Sequence, residues 1–101
     1  METPTPSRLK FARKAAGLTQ QQLGMALGME PNTASARMNQ YEKGKHAPDF
    51  LTMKRIAKEL DVPVAYFYCE DNTLAELIRV LGMLTEKEQK ELLVTLGAKQ
   101  D

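Results

Sequence analysis

At 101 residues, with 43% hydrophobic and 27% charged side chains and a net charge of +1, the chain has the make-up of one folded domain rather than two. No apolar run approaches the roughly 18 residues of a bilayer span, and Met1 to Ser7 lacks the basic-then-apolar order of a secretory signal, so a cytoplasmic protein is expected. Cys69 and His46 are the only residues of their kinds, which excludes an internal disulfide, argues against zinc, and leaves no nucleophile–base constellation; neither cofactor nor catalysis is expected.

Residues 1–6, with two prolines and two threonines, read as a flexible arm. Ser7 then suits the N-cap of a first helix running to Ala16, with Leu9, Ala12, Arg13 and Ala16 on one face and Gly17 as its stop. Thr19 caps a second helix through a capping box with Gln22. That helix points Leu23, Ala26 and Leu27 inward and ends at Gly28. Glu30-Pro31-Asn32 interrupts the chain, because proline disfavours helical geometry at the residue before it. Asn32 or Thr33 caps a third helix to about Lys43, with Met38 and Tyr41 inward and Gly44 closing it. Lys45-His46-Ala47-Pro48 is a basic loop.

Asp49 caps a fourth helix whose inward face is Leu51 or Phe50, Met53, Ile56, Ala57 and Leu60. A short fifth segment starts near Pro63, the tolerated first helical position, and carries Val64, Tyr66 and Phe67. Asn72 or Thr73 opens a helix with Leu74, Leu77, Ile78, Leu81 and Leu84. A second capping box, Thr85 with Glu88, opens a last helix with Leu92, Leu93 and Leu96, stopped by Gly97. No segment sustains the period-2 alternation of a half-buried strand. The fold class is therefore all-α.

Several spaced elements agree in order over the first 62 positions. Arg8-Leu9-Lys10 and Arg13 precede Gly17-Leu18-Thr19-Gln20, then Leu23 and Leu27-Gly28-Met29. Tyr41-Glu42-Lys43-Gly44-Lys45 follows, then Pro48, Leu51, Ile56-Ala57 and Leu60-Asp61-Val62. This set, covering about 60 of the 101 residues, resembles the Cro/C1-type (XRE-like) helix-turn-helix family of bacterial and phage repressors. The resemblance implies a five-helix lambda-repressor-like domain at residues 7–69; beyond it, residues 70–101 read from their own capping and leucine pattern as a two-helix hairpin. It further implies a phosphate contact at Gln20 and a partly buried ion pair between Arg13 and Glu42.

The residues themselves suit those roles. Gln20 stands at a helix N-terminus, where unpaired N–H groups favour a phosphate. Arg13 has the planar fork that meets a carboxylate bidentately and leaves nitrogens for a phosphate. With Met38 and Tyr41 inward, the opposite stripe of the third helix holds Thr33, Ala36, Arg37 and Gln40, flanked by Ser35 and Asn39. Arg pairs with guanine and Gln with adenine in a major groove, so these six are the candidates for base readout. Lys43, Lys45 and His46 lie where the loop would follow the phosphate backbone. One departure stands out: about four residues more separate Gly28 from the recognition helix than the family pattern has, roughly one helical turn. The proline favours a longer loop there.

The net charge hides two unlike halves. Residues 1–60 carry ten Lys/Arg against five Asp/Glu, net +5, and residues 61–101 carry four against eight, net −4. That asymmetry fits a polyanion-binding portion joined to one with another task. Leu74, Leu77, Ile78, Leu81, Leu84, Leu92, Leu93 and Leu96 are too many for one hairpin to hide, and large apolar patches mark interfaces. A homodimer binding a palindromic double-stranded DNA operator is the expectation. The alternatives are an antitoxin that represses its own operon through the same fold, its acidic half holding a toxin, or a protein-interaction module that keeps the fold without DNA.

Overall fold

The computed structural model describes residues 3–97. Six α-helices follow one another: α1 (Thr5–Ala15), α2 (Gln20–Ala26), α3 (Pro31–Glu42), α4 (Phe50–Leu60), α5 (Asn72–Leu81) and α6 (Glu86–Thr95). A 3-10 segment, Val64–Tyr68, links α4 to α5, and no strand forms among the described residues. The all-α expectation holds.

Helix starts follow local chemistry. The Thr19 hydroxyl accepts from the Gln22 N–H at 3.0 Å while the Gln22 side chain accepts from the Thr19 N–H at 2.8 Å, the expected capping box. Thr85 and Glu88 repeat it at α6. Asp49 caps α4 by accepting from the Thr52 N–H at 2.8 Å, and that bond holds its carboxyl below the ordinary carboxylate range. Asp71, rather than Asn72 or Thr73, caps α5, its carboxylate accepting from the Leu74 N–H at 3.0 Å.

The first helix begins earlier than Ser7. Pro4 occupies its N-cap position and Pro6 its second turn-opening site, where a missing N–H costs nothing because those donors have no helical partner. The start is anchored from outside: the Thr5 hydroxyl donates to the Phe67 carbonyl at 2.9 Å, and Arg8 donates twice to the Cys69 carbonyl. Residues 3–6 are thus built into the domain instead of forming an arm, while residues 1 and 2 lie outside the described residues.

The core is one cluster in which Leu9, Leu23, Met38, Met53, Ile56 and Phe67 are fully buried. It draws residues from each of α1 to α4, four of them from α4, and the 3-10 segment closes it with Tyr66 and Phe67, whose rings meet edge to face at 5.4 Å. Inward assignments fail at Ala26 and at both alternatives for the start of α4, Leu51 and Phe50, which are exposed, as is Ala16, set on one face with Leu9. For Leu51 the reason is angular, since two residues before the buried Met53 a helix has turned by about 200°. Phe50 sits in the first turn of α4 and leans on Tyr68 at 6.4 Å.

Past the core, α5 docks through buried Ala75 and through its end, where a Cβ on Gly82 would lie 2.5 Å from Cγ of Pro63. Only a glycine lets that proline so close. Helix α6 buries no residue at all and is tied back by the Gln89 amide, which donates to the Leu81 carbonyl at 2.8 Å. The hairpin lengthens the molecule: its radius of gyration is 15.2 Å, against about 13 Å for a compact chain of 100 residues.

Candidate nucleic-acid interface

Helices α2 and α3 cross at a very close approach. A Cβ added to Gly24 would lie 2.6 Å from the Cβ of Ala34 and 2.9 Å from its Cα, well inside van der Waals contact. Gly24 is buried in a helix with ordinary backbone geometry, so it is required for space and not for conformation. Leu23 and Leu27 on α2 and Ala34, Met38 and Tyr41 on α3 face the core from either side of this crossing. The two helices therefore behave as one rigid unit.

Helix α3 does not follow a longer loop. Its first residue is Pro31, with Glu30 extended at φ −65°, ψ 143°, so the surplus residues lie within the helix and not before it. Proline bars helical geometry only from the residue before it, and its own fixed φ suits a helix start. The loop reading assigned Pro31 the wrong side of the boundary.

On α3, Ala34, Met38, Tyr41 and Glu42 are buried, and Pro31, Asn32, Thr33, Ser35, Ala36 and Arg37 are exposed, with Asn39 and Gln40 half-buried. At 100° per residue the open arc centres on Ala36. Asn32, Ser35 and Asn39 occupy the side nearer α2; Thr33, Arg37 and Gln40 occupy the other. All six sequence-predicted reading positions therefore share one outward face, but they split into two edges. The Thr33 hydroxyl donates to the Glu30 carbonyl at 3.1 Å and so helps hold the first turn.

Gln20 opens α2 on the same side. Its amide nitrogen donates to Glu42 at 3.1 Å and to Asn39 at 3.4 Å, and its carbonyl accepts from the Ser35 hydroxyl at 3.4 Å. The side chain is thus turned onto α3, a bridge across the helix pair that sequence reasoning had assigned only to a phosphate. Gln21 adds a second tie, its amide donating to the Pro31 carbonyl at 3.0 Å.

Arg13 and Glu42 form the expected ion pair, at 2.6 Å and 3.0 Å through two nitrogens. Their side chains are 9% and 2% exposed, so the pair is buried more deeply than expected. The remaining terminal nitrogen of Arg13 donates to the Leu18 carbonyl at 2.8 Å. All three guanidinium nitrogens are engaged inside the protein.

At the far end of α3, Gly44 takes a positive φ of 75° and the chain reverses. The Lys45 N–H donates to the Gln40 carbonyl at 2.9 Å. This reversal leaves Lys43, Lys45 and His46 exposed beside the end of the outward face. Two lysines and a histidine there flank a face of polar groups that includes Arg37, the arrangement by which a protein holds phosphates while presenting hydrogen-bonding groups to bases.

The leucines of the second half divide by burial. Leu74, Leu77, Leu93 and Leu96 are exposed, while Ile78, Leu81, Leu84 and Leu92 are half-buried. Val80, Met83 and Val94 join the exposed set, and sequence reasoning missed them because they fall off the leucine stripe. A groove of about 340 Å³ runs between α5 and α6 over Ile78, Leu81, Leu92 and Leu96. Glu76 and Arg79 pair with each other along α5, and Arg79 holds the Glu76 carboxyl below its ordinary range.

The model of the family described as helix-turn-helix matches residues 9–67. The chain is 29% identical over 97 residues to the cryptic phage CTXphi transcriptional repressor RstR of Vibrio cholerae, covering 91% of this chain and 84% of that protein. Among solved structures, the transcriptional regulator BswR superposes with a TM-score of 0.87 at 47% identity, covering 93% of each chain. The likeness to BswR therefore takes in the α5–α6 hairpin as well as the domain.

Proposed function

We propose, from the premise that the chain belongs to the Cro/C1-type helix-turn-helix family of transcriptional regulators, that it is a homodimeric repressor that binds a palindromic operator in double-stranded DNA. The observation that carries this reading is the outward face of α3. It is polar, it is fixed in angle by the Gly24–Ala34 crossing and by the Arg13–Glu42 pair, and basic residues border it.

In this reading α3 lies in the major groove. Ser35, Ala36, Asn39 and Gln40 meet base edges, with Thr33 and Arg37 at the margin of the face. Lys43, Lys45 and His46 contact phosphates, and the N-terminus of α2 receives another phosphate beside Gln20. Arg13 acts only on orientation. The exposed leucines of α5 and α6 join two copies, which sets two recognition helices about one DNA turn apart. The reading places the protein in the cytoplasm with DNA and a second copy as its partners. No helix among the described residues is long and apolar enough to cross a membrane.

Selection of bound sequences from a random duplex pool by the full chain tests the proposal. The expected product is a motif with two inverted half-sites, their centres about 10 base pairs apart. Enrichment of a single unrepeated site would refute the dimeric reading, and no enrichment would refute sequence-specific binding.

A further inference from the structure

The start of α1, the reversal after α3 and the end of the 3-10 segment line a cavity of about 330 Å³ that the DNA-binding reading leaves unassigned. We infer that this cavity binds a small organic ammonium ion with an apolar body, and that its occupant braces the loop carrying Lys45 and His46. The site stands on its own geometry; its effect on DNA rests on the proposed role of that loop.

Three segments far apart in sequence build the walls, and each is held in place. Thr5 donates to the Phe67 carbonyl at 2.9 Å and Arg8 to the Cys69 carbonyl at 2.9 Å, which fixes the start of α1 against the end of the 3-10 segment. A Cβ on Gly44 would stand 3.5 Å from Cγ of Pro6, so α1 also lies beside the reversal. The Lys45 N–H closes that reversal onto the Gln40 carbonyl at 2.9 Å. The cavity is therefore preformed, as small-molecule sites generally are.

The lining selects charge. Pro4, Pro6 and Pro48 supply apolar, inflexible surface, and Tyr41 and Tyr68 add aromatic rings, which attract cations. No lysine or arginine lines the cavity, whereas Glu70 brings its one carboxylate and His46 its one imidazole. The Glu70 side chain enters no ion pair among the described residues, and Arg8 reaches only the Glu70 backbone carbonyl, at 3.3 Å. Tyr41 is 9% exposed, yet its hydroxyl makes no hydrogen bond among the described residues, where no buried side-chain oxygen lacks a partner. That hydroxyl is thus open to solvent and free to accept. A protonated amine finds acceptors here; an anion finds no fixed positive charge.

Gly44, His46, Ala47 and Pro48 form one wall, so an occupant rests against the residues that flank Lys45. Bracing them lowers the ordering cost of phosphate binding, and the added positive charge lies beside a polyanion. By linkage, DNA tightens the ammonium ligand by the same factor.

NMR titration of the full-length protein with phenethylammonium at neutral pH tests the inference, with phenethyl alcohol and hydrocinnamate as neutral and anionic counterparts. The ammonium ion should shift the amide signals of Gly44, Ala47 and Tyr68 saturably and bind about fivefold more tightly than either counterpart. Glu70→Gln should remove that advantage and leave the alcohol's affinity unchanged. Tyr68→Leu should weaken the ammonium ion about threefold. At constant ionic strength, saturating phenethylammonium should strengthen duplex binding by wild type about fivefold and by Glu70→Gln not at all. Equal affinity for the three compounds, shifts confined to residues away from the cavity, or no saturable shift up to about 10 mM overturns the site. Saturated binding with unchanged duplex affinity overturns the bracing of the loop. A wild type that binds no duplex overturns that bracing together with the DNA-binding reading, while the titration still decides the site.

Discussion

Arg13 and Glu42 lie 29 residues apart in sequence and meet as a buried, doubly hydrogen-bonded ion pair that ties α1 to the end of α3. Glu42 also accepts from Gln20, and Arg13 donates to the Leu18 carbonyl. The start of α2 and the end of α3 thus share one polar knot. Removing one partner leaves the other buried and uncompensated. Glu42→Ala should therefore lower unfolding stability by roughly 3–5 kcal/mol in urea melts. A loss below about 1 kcal/mol, the scale of surface pairs, would mean that the knot is solvated in the folded protein.

Gly24→Ala sets two effects of opposite sign against each other. Alanine favours a helix interior over glycine by about 1 kcal/mol. The new methyl, however, meets the Cβ, Cα and carbonyl of Ala34 within 3.0 Å, and backbone cannot rotate aside. Overpacking of this kind costs roughly 1–3 kcal/mol, so steric cost should win. Thermal melts should show a lower midpoint and selection assays a weakened motif, because α3 must tilt. A raised midpoint would show that the helices can separate freely.

DNA affinity should fall steeply between low and physiological salt, as Lys43, Lys45 and neighbouring cations displace counterions. Lys45→Ala should weaken all sequences about equally and make the salt slope shallower by roughly one unit. Gln40→Ala should cost roughly 1–3 kcal/mol at particular base positions only. Arg37 discriminates between the two edges of α3. If Arg37→Ala weakens every site evenly, that edge faces phosphate rather than bases.

The sequence disclosed most of this architecture because its punctuation is strong. Gly17, Gly28, Gly44 and Gly97 all take positive φ where a helix stop was expected, and Thr19, Asp49 and Thr85 all cap as their spacing implied. Proline was read less well. Pro4, Pro6 and Pro31 each open a helix, and sequence pattern alone does not separate a proline that begins a helix from one that breaks it. The knot around Glu42 was half legible: the Arg13 partner came with the family resemblance, but Gln20 and Leu18 depend on the crossing angle of α2 over α3. Asn32 was seen only as a cap because the helix was started too late.

Asp49 gives a pH test of the fourth helix. Its folded-state carboxyl titrates below its ordinary range because the Thr52 N–H donates to the ionised form. A depressed folded value means that Asp49 adds stability above the unfolded carboxylate range and loses it as pH falls through the lowered value. Asp49→Asn keeps an acceptor but does not titrate. Thermal midpoints measured from neutral pH down to about pH 2 should therefore fall less for Asp49→Asn than for wild type. Equal acid-side slopes would assign the acid sensitivity to other carboxylates.

The hairpin supplies the last test, because much of its apolar face is exposed in the single chain. Leu77 and Leu93 are 52% and 42% exposed in the single chain, so charging them costs the monomer little. In a dimer those side chains would be covered, and each full burial of a leucine is worth roughly 1.5–3 kcal/mol. The double variant Leu77→Glu/Leu93→Glu should then sediment as a folded monomer at concentrations where the wild type is a dimer. A lone recognition helix covers only a few base pairs, whereas two linked copies make the second contact intramolecular and raise avidity by roughly 10²–10⁴. The variant should accordingly keep weak duplex binding but lose its preference for inverted half-sites over a single one. A wild type that sediments as a monomer at tens of micromolar would refute the dimer. A monomeric variant that binds the palindrome as tightly as wild type would separate assembly from recognition.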